Sequence, residues 1–178
     1  SHDLRNPLNV IKVRAELLRG EAPDEHVEPI ESNADRMETM IEDLLTLSRA
    51  GESVDDPDHV SLARVVTDSW AAVSSDGLEL DVDVPDTLAV AADGDRLRHV
   101  FENLFRNARE HNDPPVTIRV GTISDEMGSI SGFFVADGGK GIPESAREEI
   151  FEQGYTTNRD GTGFGLSIVE EIVDAHGW

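Results

Sequence analysis

Two glycine clusters constrain this chain more than any other feature: Gly138, Gly139 and Gly141 in ADGGKGIP, then Gly161, Gly163 and Gly165 in GTGFGLSIV. Glycines grouped this closely suit a backbone that must approach a ligand tightly. Just before the first cluster, GFFVAD predicts a buried strand that delivers Asp137 to its end. Just after the second, LSIVEEIVDAH predicts an amphipathic helix. Phosphates at the start of that helix would meet free backbone N–H groups, so the pattern points to a nucleotide. It is neither a dinucleotide fingerprint nor a G-x-x-x-x-G-K-[ST] phosphate loop, because the glycines are split and no such string occurs. One glycine-rich turn is more often only a turn, but two in register, with the residues upstream, reverse that reading.

At 178 residues the chain is long enough for one or two domains with a real core. It has no run of about 18 apolar residues and no apolar signal core at its start, so a soluble segment without a spanning helix is expected. Zero cysteines exclude disulfides and thiolate metal sites. Fifteen basic against 37 acidic residues give a net charge of −22, which repels nucleic acid and anionic lipid. The charge is spread over both predicted domains, as on a solvated surface suited to a salt-rich cytoplasm, rather than gathered into an interaction arm.

The opening stretch spaces Leu4, Leu8, Ile11, Ala15 and Leu18 as the seam of a coiled-coil-like helix. Residues 20–24, with Pro23, break it. Val27, Ile30, Ala34, Met37, Ile41, Leu44 and Ser48 then carry a second helix to about Ala50. Two helices alone hide little surface, so the hairpin is expected to pair with a second copy as a homodimeric four-helix bundle with Met37 and Met40 in its core. Polar GESVDDPDH, 51–59, reads as a linker between the hairpin, 1–50, and a second domain, 60–178.

In that domain VSLARVVTDSWAAV predicts a short strand running into a helix capped by Ser61. LELDVDVPD and LAVAAD predict further strands. Asp93 or Asp95 starts a helix through DRLRHVFENLFRNAREH that turns Leu97, Phe101, Leu104 and Ala108 to the core. VTIRVGTIS and SGFFVAD form a hairpin around Asp125 to Ser129. The fold class is therefore α+β: a helical hairpin, then helices layered on a mixed, largely antiparallel sheet.

Asn103 and Asn107 stand one helical turn apart, so both amides project from one face. Hard cations such as Mg²⁺ accept amide oxygens alongside water and phosphate. Isolated Asn pairs are usually caps or solvated amides, but Asp137 and Gly161 to Gly165 favour the metal reading here. His2 lies near a helix start beside Asp3, with Asn6 one turn on and Pro7 behind it. A neutral imidazole is a good nucleophile, and a neighbouring carboxylate can fix its tautomer and take its proton. His26, His59, His99, His111 and His176 read mostly as surface residues.

SHDLRNPL resembles the H box of sensor histidine kinases, ENLFRNA their N box, DGGKGI their first glycine box, IFEQGYTT their F box and GTGFGLSIV their second glycine box. All occur in order over nearly the whole chain. The resemblance implies a dimerisation and phosphotransfer hairpin followed by a Bergerat-type ATP-binding domain, with a response-regulator receiver as partner. It makes His2 the phosphoacceptor, Asp3 its acid/base neighbour, and Asn6 the residue that helps water dephosphorylate the partner. It assigns Asn107, with Asn103, to Mg²⁺ and phosphate, and Asp137 to the adenine amine, supported by Gly139, Gly141 and Ile142. His111 falls where an aromatic often stacks on adenine. Gly161, Thr162, Gly163, Phe164, Gly165 and Leu166 match the phosphate-facing hinge of a lid spanning 144–160. The acidic composition is similar to that of haloarchaeal members.

Three departures stand out. Glu110 occupies a place where the family often has Lys or Arg, so Arg109 or Arg106 would meet the phosphates. Gly138 replaces a more usual Asn or Asp. The chain stops at Trp178, where the family normally adds a closing strand pair, and starts one residue before His2, as a segment of a larger protein would. Two other functions compete. A gyrase- or chaperone-like ATPase would use a catalytic Glu on the N-box helix, and Glu102 is its candidate. A catalytically weak scaffold or phosphatase would draw on Glu110 and the missing strands.

Overall fold

The computed structural model describes residues 2–18, 24–50, 53–73, 77–158 and 161–178, with the side chains of residues 2–7, 9, 24–26, 28, 49 and 50 outside that description. Helix α1 spans His2–Leu18 and α2 spans Asp24–Ala50, the hairpin expected from the two seams. Leu8, Ala15, Val27 and Ala34 are buried between them. Lys12 of α1 ties the pair together, donating to Asp35 at 2.7 Å and Glu38 at 2.6 Å on α2. Those two hydrogen bonds raise its pKa above the usual lysine range. Among the described seam residues Ile11, Leu18, Ile30, Met37 and Leu44 are exposed within one chain, beside Val10, Val13 and Leu17, and Ile41 is half-buried. Met37, expected in a core, is 52% exposed because the expected core is that of a two-copy bundle and a single hairpin leaves this face uncovered.

The second domain begins earlier than its linker reading allowed. Strand β1, Asp58–Ser61, pairs antiparallel with β3, Ala89–Ala92, so Asp58 and His59 are ladder residues. Ser61 ends that strand directly before α3, Leu62–Val73. Strands β2 (Leu78–Asp83), β4 (Val116–Ser124) and β5 (Ile130–Asp137) form a separate sheet ordered β2-β4-β5. Here β2 runs parallel to β4 and β5 antiparallel to it. The sheet is mixed as expected, but the strands divide into two sheets. The β4–β5 turn is fixed by Asp125, whose Oδ1 accepts from Met127 N and Ser129 N while Gly128 takes φ +82°.

Helix α4, Gly94–His111, is capped by Asp93, whose Oδ1 accepts from Asp95 N and Arg96 N. It works on two faces. Leu97, Phe101 and Ala108, joined by Phe105, pack onto α3 and the sheet with Leu62, Val66, Ile118 and Val120. Phe105 was absent from the expected core yet is fully buried, with its ring 5.5 Å from Trp70 and 5.9 Å from Phe101. Burying such a side chain stabilises by about 1.5–3 kcal/mol. The other face, with Val100 and half-buried Leu104, meets Ile168, Val169 and Ile172 of α5, Gly165–Ala175. Leu47 of α2 also packs there, so the hairpin is seated on the second domain. Among the described residues no helix is long and apolar enough to cross a membrane.

Candidate nucleotide site

A cavity of about 800 Å³ opens where the end of β5, the middle of α4 and the start of α5 converge. Alternation along β5 puts Phe133 and Val135 towards the core and brings Asp137 to the strand end, at the cavity wall. Its Oδ1 accepts from Gly139 N at 2.9 Å and from Asn112 Nδ2 at 3.1 Å. Gly141 and Ile142 continue the same wall, and the φ of +70° at Gly141 turns the chain there. Gly139 does not line the cavity; it lies behind the wall, against Asn112.

Asn103 and Asn107 reach the cavity from α4, as their spacing predicted. Asn103 is buried and its Nδ2 donates back to His99 O at 2.9 Å, which leaves Oδ1 turned towards α5. A methyl group built on Gly165 would lie 3.3 Å from Asn103 Oδ1 and 3.5 Å from Asn107 Oδ1. Only glycine keeps this gap open at the helix start. No side chain caps the first turn of α5, so its N–H groups suit an anion. Among the described residues no group of three His, Cys, Asp or Glu could hold a metal. The donors that remain, two amide oxygens beside the uncapped start of α5, fit a hard cation that shares ligands with phosphate and water.

The second glycine run closes the opposite side. Gly163 has φ +77°, and a Cβ on it would fall 2.5 Å from the carbonyl carbon of Gly154, whose N–H donates to Gly163 O at 2.9 Å. Gly161, Thr162 and Leu166 also line the cavity. The Phe164 ring instead packs among the α4–α5 apolar residues, so it anchors the run without facing a ligand. His111 lines the cavity, with Nδ1 3.3 Å from the Thr157 hydroxyl. Arg106 and Arg109 both reach the wall, and Arg109 is tied to Val73 O at 3.5 Å. Glu102 is not in the wall; its carboxylate lies 3.6 Å from His99 Nδ1.

Sequence reasoning missed two contributors. Asn112, directly after α4, makes the contacts to the first glycine turn. The hairpin itself reaches the site: Thr39 of α2 lines the cavity, Arg36 donates to Gly161 O at 3.2 Å, and buried Asp43 accepts from the Thr162 hydroxyl at 2.6 Å. Burial raises the Asp43 pKa above the ordinary carboxylate range, against the pull of the Thr162 bond and nearby Arg106. Arg36, Asp43 and Leu47 repeat at near-heptad spacing, a signal overshadowed by the apolar seam. His2, Asp3 and Asn6 fall in the first turns of α1, and their side chains lie outside the described residues.

Residues 1–53 match the His Kinase A (phospho-acceptor) domain. Residues 92–178 match the histidine kinase-, DNA gyrase B-, and HSP90-like ATPase domain. The sensor histidine kinase ZraS of Escherichia coli is 33% identical over 192 residues, which is 99% of this chain and 40% of that protein. The chain thus spans about two fifths of the length of the curated relatives it matches. The full-length ShkA structure, solved in complex with AMPPNP, is 27% identical and matches with a TM-score of 0.70 over 99% of this chain and 40% of its own. The mycobacterial sensor histidine kinase MprB, 26% identical, matches with a TM-score of 0.59 over 68% of this chain and 80% of its own.

Proposed function

This chain belongs to the sensor histidine kinases, and from that premise we propose that it takes the γ-phosphoryl group of ATP onto His2 and hands it to an aspartate of a response-regulator receiver. The observation that carries the reading is the meeting of Asp137, Asn103, Asn107 and the open start of α5 around one cavity. Asp137 accepts from the adenine amine, His111 stacks on the base, and the α5 N–H groups with Arg106 meet the phosphates. Asn103 and Asn107 would offer their Oδ1 atoms to Mg²⁺, which when bound would offset the charge of the phosphates. In the transfer the bond from the bridging oxygen to the γ-phosphorus breaks, a bond from the His2 imidazole to phosphorus forms, and ADP leaves. Asp3 holds the imidazole tautomer and takes its proton, and Asn6 orients water when the partner is dephosphorylated.

The turn of Glu102 towards His99 supports this over ATP hydrolysis of the gyrase or chaperone kind. The uncovered apolar seam supports a homodimer through the hairpin. The working compartment is the cytoplasm, and the −22 charge supports a salt-adapted protein. Adenine recognition is tested by Asp137→Asn. An unpaired buried amine costs about 1–3 kcal/mol, so ATP affinity should fall by about 5- to 150-fold while the dimer persists by sedimentation. Wild-type affinity in the variant would remove Asp137 from the site.

A further inference from the structure

The Asn112 side chain has one arrangement that satisfies all its neighbours. Its Nδ2 donates to Ala108 O at 3.0 Å and to Asp137 Oδ1 at 3.1 Å, and its Oδ1 accepts from Lys140 N at 3.0 Å. Exchanging oxygen and nitrogen would set lone pairs against both oxygens and an N–H against an N–H. The amide lies so close beneath the first glycine turn that a Cβ on Gly139 would fall 1.8 Å from its Oδ1. Gly139 is therefore a glycine because Asn112 occupies the space.

One side chain thereby joins the end of the N-box helix, the carboxylate at the end of β5 and the backbone of the glycine turn. Its two N–H groups are both spent on protein acceptors, so it has no donor left for a ligand. The consequence falls on Asp137. Both described bonds to that carboxylate, from Gly139 N and Asn112 Nδ2, end on Oδ1. Oδ2 is left as the acceptor, in a carboxylate whose rotation is fixed from one side.

We propose that Asn112 is a positioning residue that sets base selectivity: by saturating Asp137 Oδ1 it aims Oδ2 at the exocyclic 6-amine of a purine. An amine at that position donates to Oδ2. A 6-carbonyl, as in guanine, brings a lone pair against a carboxylate that cannot rotate away, and is rejected. The proposal rests on the adenine assignment of Asp137 made above. Without Asn112 the carboxylate keeps only the Gly139 bond and turns freely, so amine recognition loses its preorganisation and the guanine clash relaxes.

The test is equilibrium binding of ADP and of GDP, each with Mg²⁺, to the 178-residue chain as wild type, Asn112→Ala, Asn112→Asp, Asp137→Asn and the Asn112→Ala/Asp137→Asn double variant. Asn112→Ala should weaken ADP about tenfold, the scale of one positioned hydrogen bond, while GDP binds no worse, so the ADP-to-GDP preference shrinks. Asn112→Asp keeps an acceptor for Lys140 N and the side-chain volume, so the turn survives. It loses the donor and sets like charges side by side, and should lose more ADP affinity than Asn112→Ala. In the Asp137→Asn background, Asn112→Ala should cost nothing further, because the two act through one interaction. Equal loss of ADP and GDP, or full additivity with Asp137→Asn, would reduce Asn112 to a fold residue and overturn the proposal. If Asp137→Asn alone abolished ADP binding and both Asn112 variants bound as wild type, the proposal would fall and the nucleotide reading would stand. If Asp137→Asn bound ADP as wild type, both would fall.

Discussion

At the scale of single residues, the proposed function divides the site into a base end, with the Asp137 carboxylate and the Asn112 amide, and a phosphate end, with the Asn103 and Asn107 amides and the α5 N–H groups. The two ends should respond separately to substitution. Asn107→Asp replaces an amide, whose Oδ1 lies 3.5 Å from where a Cβ on Gly165 would stand, with a carboxylate that would repel the phosphates proposed to bind at the start of α5. Phosphorylation should slow by about tenfold or more, an effect of roughly 1.4 kcal/mol, while adenosine binding, which rests on Asp137, His111 and Asn112, stays as in wild type. Equal phosphorylation rates across a Mg²⁺ titration would refute the placement. The spacing of Asn103 and Asn107 and the glycine pattern made this end legible, because helical period and φ preference are written in local sequence. Asn112 was illegible for the opposite reason: its contacts cross from α4 to Asp137 and Lys140, with |i−j| of 25 and 28.

At the scale of elements, the hairpin, the α4 helix and the β4–β5 turn followed directly from periodicity and capping. The parallel pairing of β2 with β4, and the division into two sheets, depended on tertiary neighbours that alternation cannot name. The seating of α2 on the second glycine run belongs to this unwritten class. Asp43 is its least comfortable member, because burial raises the carboxyl pKa. A raised folded-state value means the stability it contributes is complete below the ordinary carboxylate pKa of about 3.9 and is lost as pH rises through the raised value. At neutral pH the charge therefore opposes docking. Asp43→Asn keeps an amide oxygen for the Thr162 hydroxyl and removes that penalty, so protection from hydrogen exchange over residues 161–166, taken relative to the intrinsic rate at each pH, should rise at pH 7 and no longer change on acidification. Asp43→Ala also removes the acceptor, at a cost of about 0.5–1.5 kcal/mol, and should speed exchange there. Faster exchange in Asp43→Asn than in wild type would contradict the sign of this argument.

At the scale of the whole molecule, the formal charge of −22 sets a net self-repulsion. The Debye length falls from about 10 Å at 0.1 M salt to about 3 Å at 1 M, so the melting temperature should rise between those conditions, and a flat or falling profile would refute salt adaptation. The same molecule joins an exposed-seam hairpin bearing His2 to the cavity proposed to hold ATP, and the central claim is that the second domain phosphorylates the first. The most direct measurement is the fate of the label when the full-length protein is incubated with γ-labelled ATP and Mg²⁺. A phosphoramidate on His2 is lost in acid and survives base, and His2→Gln removes the label without changing ATP affinity. Release of free phosphate with no His2-dependent label, or bound ATP left unconsumed, would contradict the account.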